Sequence, residues 1–113
     1  MHYEAYALNA NKENTRFQFK STGKRGIFEK VILITQINDY LFNLSLLDYD
    51  LITQEYSDKA ITDNGDMPEV LATVFEAINI FLNEYSDKSV YFEGSTMART
   101  RLYQIVINKT YDL

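Results

Sequence analysis

The apolar residues of this chain change period once, and that change limits the folds open to it. Between Arg16 and Leu47 they recur at every second position, and between Val70 and Tyr85 at 3.6. A period of two belongs to strands with one buried face, and 3.6 belongs to a helix with one apolar stripe. Strands followed by a helix predict an α+β domain.

Phe17, Phe19 and Ser21 alternate with Arg16, Gln18 and Lys20, the pattern of a half-buried strand. Thr22-Gly23-Lys24-Arg25-Gly26 reads as a turn, and the β-branched stretch from Phe28 to Gln36 as its partner strand. After a turn at Ile37-Asn38-Asp39, Tyr40, Phe42, Leu44 and Leu46 alternate with Leu41, Asn43, Ser45 and Leu47. Shorter strands are expected over His2–Leu8, Ile52–Tyr56 and Val90–Phe92. Val70, Leu71, Val74, Phe75, Ile78, Phe81, Leu82 and Tyr85 form one helical face, with Asp66 as N-cap and Pro68 in the first turn. A second helix is expected from Ser95 to about Lys109, with Ala98, Leu102, Ile105 and Val106 as its stripe. The expectation is a single domain over residues 1–113: a mainly antiparallel sheet, hairpins first, with two helices on one face in the order β-β-β-β-(β)-α-β-α.

The chain has 113 residues, 46% of them apolar, enough for one core. It has no cysteine, which excludes disulfides and thiolate metal sites and suits a cytoplasmic location. Met1-His2-Tyr3-Glu4 lacks the basic and apolar regions of a signal peptide. No apolar run reaches the roughly 18 residues of a membrane helix, so no membrane association is expected. Asp63, Asn64 and Asp66 lack the spacing of a calcium loop and read as a turn with a cap. No cofactor, metal or catalytic residue is expected.

Charge is uneven about a net of −5. Lys12 to Lys30 holds six bases against two acids; Asn38 to Asp87 holds eleven acids and one base. Lys24, Arg25 and Lys30 are the candidate basic loop. The other candidate site is Gly94-Ser95-Thr96-Met97-Ala98-Arg99-Thr100-Arg101-Leu102-Tyr103, read as a strand end, a turn and a capped helix start. Ser95 would cap the helix, and Arg99 and Arg101 would border its stripe. Arginine near a helix N-terminus opposes the macrodipole, so a negative group is expected beside it. That group is an internal carboxylate (Asp63, Asp66 or Glu93) or a bound anion held by Ser95, Thr96, Arg99, Arg101 and Tyr103. Tyr103 and Ile107 would lie on the outer face of this helix, where a second copy of the chain could cover them.

Thr62-Asp63-Asn64-Gly65-Asp66, Val70-Leu71-Ala72-Thr73-Val74, the Gly94-Ser95-Thr96 and Ala98-Arg99-Thr100-Arg101-Leu102-Tyr103 runs, and the hairpin Phe17-x-Phe19-x-Ser21-x-Gly23-x-x-Gly26-x-x-x-Lys30 together resemble a small bacterial family of unknown function, known mainly from Bacteroidota. The resemblance spans most of the chain. It implies a common fold and supplies no activity. Relatives in that family continue past the second helix, so a C-terminal covering element is expected to be missing here.

Three functions fit these residues. The first is a non-catalytic protein-interaction or regulatory module, supported by the acidic half and the expected outer face of the last helix. The second is a nucleic-acid binder using sheet aromatics, the Lys24–Arg25 loop and the two arginines, against which the net charge weighs. The third is an enzyme or binder for a phosphorylated ligand at the Ser95 turn.

Overall fold

The computed structural model describes residues 4–50, 54–57, 65–96 and 101–108. Its elements are β1 (Asn9–Ala10), β2 (Arg16–Gly23), β3 (Gly26–Gln36), β4 (Leu41–Asp50), β5 (Glu55–Ser57), α1 (Met67–Glu84), β6 (Ser89–Thr96) and β7 (Arg101–Asn108).

The expected hairpins form. β2 and β3 pair antiparallel from Arg16↔Leu33 to Gly23↔Gly26, so Lys24 and Arg25 make a two-residue loop. Gly26 has φ of +118°, a value L side chains rarely adopt. β3 and β4 pair antiparallel from Lys30↔Asp48 to Gln36↔Phe42. Asn11 closes the β1–β2 loop: its side-chain oxygen accepts from the Thr15 and Arg16 amides at 2.8 and 3.0 Å.

The strand order is β1-β2-β3-β4-β6-β7, with β5 attached to β4. β3 occupies one edge of β4. Along the other, β6 runs parallel to Leu41–Leu44 and β5 antiparallel to Asp48–Asp50. The sheet is therefore mixed, because α1 returns the chain to the far end of β4 before β6 begins. The Ser89 amide donates to the Tyr40 carbonyl at 2.7 Å where β6 enters.

The second helix is not formed. Residues 101–108 make β7, which pairs antiparallel with β6 from Ser89↔Asn108 to Thr96↔Arg101. Among the described residues α1 is the only helix, and the order is β-β-β-β-β-α-β-β. Ile105-Val106-Ile107 is a run of three β-branched residues, whose stiff χ1 favours a pleated strand. The open edge of β6 then supplies a partner, and tertiary pairing overrides the helical spacing of the stripe.

One face of the sheet carries the core. Phe17, Phe19, Ile32, Ile34, Leu44, Leu46, Val90 and Phe92 meet Val70, Val74, Ala77, Ile78, Phe81 and Leu82 of α1. The Phe81 ring lies 5.0 Å from Phe42 and 4.8 Å from Tyr85. Full burial of such side chains contributes about 1.5–3 kcal/mol each. Leu71 and Phe75, expected on the buried stripe, sit at its border and are 37% and 46% exposed.

Candidate functional site

The densest polar constellation lies where the N-terminal segment, β2 and the start of α1 meet. Strand alternation turns Ser21 toward the helix side of β2, together with Phe17 and Phe19. Asp66 is the residue before α1, and its carbonyl accepts from the Val70 amide at 3.0 Å. Its carboxylate makes no cap hydrogen bond. Instead, one carboxylate oxygen accepts from the Ser21 hydroxyl and the Tyr6 hydroxyl, each at 2.5 Å. Asp66 thus ties three segments together and gives up the ordinary use of an N-cap aspartate.

Tyr6 is held along its whole length. Its amide donates to Thr73 Oγ1 at 2.7 Å, and that hydroxyl donates to the Glu69 carbonyl at 2.7 Å. The Tyr6 ring stacks on Phe19, with centroids 5.7 Å apart. A phenol has one proton. With the proton on the short bond to Asp66, the Tyr6 oxygen accepts from the Thr22 amide at 3.2 Å. Burial, followed by the hydrogen bond to Asp66, raises the Tyr6 hydroxyl above its usual value near 10; contact with the Thr22 backbone opposes the shift.

A groove of about 360 Å³ opens beside this latch, lined by Tyr6, Ala7, Asn9, Gln18, Phe19, Lys20 and Glu29. On the opposite border of α1, Met67, Leu71 and Phe75 form an exposed row at intervals of four residues. Glu69, Glu76 and Glu84 are the charged residues of α1, which has no base.

The expected basic loop is divided by the fold. Lys24 and Arg25 occupy the β2–β3 turn. The Lys24 chain passes over Gly65, where an added Cβ would lie 3.3 Å from Lys24 Cδ. Lys30 is not part of this surface. It points to the core side of β3, is 1% exposed, and its ammonium donates to Asp48 Oδ1 at 2.5 Å. Alternation is the reason: Lys30 shares its face with Ile32 and Ile34, and only the carboxylate opposite makes that burial tolerable.

The expected helix-start site is also redistributed. Ser95 and Thr96 lie in β6 opposite Leu102 and Arg101, and Tyr103 is opposite Gly94. Ser95 sits in an extended strand and not at a helix N-terminus, so the dipole argument for an anion falls away. Arg99 and the candidate carboxylate Asp63 lie outside the described residues. Asp66 serves Tyr6 and Ser21, and Glu93 is opposite Gln104 in the β6–β7 ladder. Ile107 packs against the core, so it does not offer the outer dimer face expected of it.

Residues 2–113 match DUF6934, a family of unknown function. The chain belongs to DUF6934. No curated protein and no solved structure matches it. For this DUF6934 member, the sequence reading missed Tyr6, Ser21 and Thr73. A tyrosine in the segment ahead of β1 carries no local mark of a partner 60 residues away. The one available signal was Ser21, a hydroxyl at a position the alternation reserves for apolar groups.

Proposed function

We infer that this chain is a non-catalytic protein-interaction module whose contact surface is the outer border of α1. The observation that carries this reading is the Met67–Leu71–Phe75 row, 38%, 37% and 46% exposed on a helix that otherwise buries its apolar residues. Leaving a large aromatic half in water forgoes hydrophobic stabilisation that a partner recovers on binding. Between this row and the acidic ridge of Glu69 and Glu76 the helix surface carries Pro68, Ala72 and Asn79, none of them charged. The fitting occupant is a protein surface that places apolar side chains on the row and lysine or arginine against the ridge. The chain's net charge of −5 favours the same partner. No described helix is long and apolar enough to cross a membrane.

The test compares proteins that co-purify with the wild-type chain and with a Leu71→Glu/Phe75→Glu variant of unchanged circular dichroism. The reading expects a defined associate, retained by the wild type and lost by the variant. Identical associates for both, or none for either, would overturn it. The nucleic-acid alternative keeps Lys24 and Arg25 but loses Lys30 to the core.

A further inference from the structure

We propose that the outer edge of β7 is a homodimer interface, at which β7 pairs antiparallel with β7 of a second copy about Gln104 and joins the two sheets into one. This site is distinct from the α1 row and does not rest on it.

Main-chain directions along β6 and β7 follow from one hydrogen bond. The Ser89 amide donates to the Tyr40 carbonyl, so Ser89 points toward β4. Successive residues of a strand alternate in direction, so Val90, Phe92, Gly94 and Thr96 point toward β7. Their ladder partners Ile107, Ile105, Tyr103 and Arg101 point back at them. Leu102, Gln104 and Val106 therefore turn their amides and carbonyls away from β6. β7 is the last strand of the sheet, and among the described residues no strand pairs with it on this side.

The fold treats its two sheet edges differently. At the far edge β1 is two residues long, Asn11 bonds the Arg16 amide and carbonyl, and the Tyr6 hydroxyl accepts from the Thr22 amide. Short strands, bulges, prolines and edge lysines keep sheets from pairing edge to edge. β7 has none of these. It is eight residues long, holds no proline, glycine or lysine, and pairs with β6 in unbroken register.

The occupant that fits this edge is a second copy. A two-fold axis brings a strand to itself in antiparallel sense, so one patch supplies both sides of the contact. Outward residues bond only outward residues. The bonded rungs are then Leu102 with Val106 and Gln104 with Gln104, each exchanging an amide and a carbonyl. Arg101 faces Ile107 of the partner subunit, and no like charges meet across the seven rungs from Arg101 to Ile107. The charge distribution points to the same edge. At a net charge of −5 two copies repel, but residues 94–111 hold no acid. Directly opposite residues share a face of the sheet, so both α1 helices lie on one side of the joined sheet.

The test is sedimentation equilibrium of the full-length chain from about 1 μM to about 1 mM, where the mass should rise to that of a dimer. Gln104→Pro removes only an outward amide, which an edge strand tolerates. It should weaken the dimer at least tenfold with unchanged circular dichroism, and Phe75→Glu should leave it intact. The chain has no cysteine, so Gln104→Cys supplies one thiol. It lies about 5.5 Å, Cα to Cα, from its own copy across the axis, within disulfide reach. Under mild oxidation it should cross-link at least tenfold faster than Glu13→Cys in the β1–β2 loop. This rate decides the matter even if the proline variant fails to fold. A monomer at millimolar concentration, a dimer that a folded Gln104→Pro retains, or equal cross-linking at the two positions would overturn the proposal.

Discussion

Two residues show how far local chemistry is legible and where it needs the fold. Lys30 reads as a surface base because lysine is almost always exposed, yet its register position opposite Asp48 puts both on the core side. Asp48→Ala would leave a buried ammonium without its carboxylate and should cost about 3–5 kcal/mol, whereas Lys30→Met with Asp48→Leu should be close to neutral. Urea unfolding of Lys30→Met, Asp48→Leu and the double variant measures the coupling; additive losses would show that the pair is not coupled. Tyr6 gives a pH prediction. Its hydroxyl keeps its proton in the folded chain at pH values where the unfolded chain has lost it. Its contribution is therefore complete below about pH 10 and is lost as pH rises through the folded value. Wild-type stability should fall more steeply above pH 10 than that of Tyr6→Phe. Parallel curves would place the phenol in water.

At the level of elements, the β2–β3 and β3–β4 hairpins and α1 were legible because period and turn chemistry agree in each of them. The β2–β3 turn region holds two glycines, each free to take positive φ, and Gly26 takes it. Gly26→Ala has room for its Cβ, since nothing lies within 4 Å, so its expected loss of about 1–2 kcal/mol is backbone strain alone. Unfolding midpoints equal to wild type would contradict that. The last element was misread because an eight-residue stretch containing leucine, isoleucine and valine satisfies a helical stripe and a strand equally well. The deciding partner, the open edge of β6, is a tertiary fact absent from local sequence. Nuclear Overhauser contacts should link Val90 to Ile107 and Phe92 to Ile105. Contacts between residues three apart within 101–108 would restore the helix.

On the scale of the whole molecule, the sequence revealed the fold class, the acidic balance and the order of the first elements. It did not reveal a parallel β4–β6 pair, because a crossover is decided by which edge is open when the helix ends. Nor did it distinguish the buried part of the α1 stripe from its exposed border, since Leu71 and Phe75 satisfy the same periodicity as Val74 and Ile78. We propose that this border is a protein contact surface. Because Phe75 is half exposed, Phe75→Glu should cost about 1 kcal/mol, half of what full burial contributes, and the retained circular dichroism separates a loss of binding from a loss of folding. The most direct measurement places a photo-reactive benzoylphenylalanine at position 75 and, as a control, at Thr35 on the opposite sheet face, and maps the adducts formed in cells. Adducts are expected from position 75 to one protein, at a segment mixing apolar and basic residues, with none from position 35. Absence of adducts at position 75, or the same adducts from both positions, would contradict it.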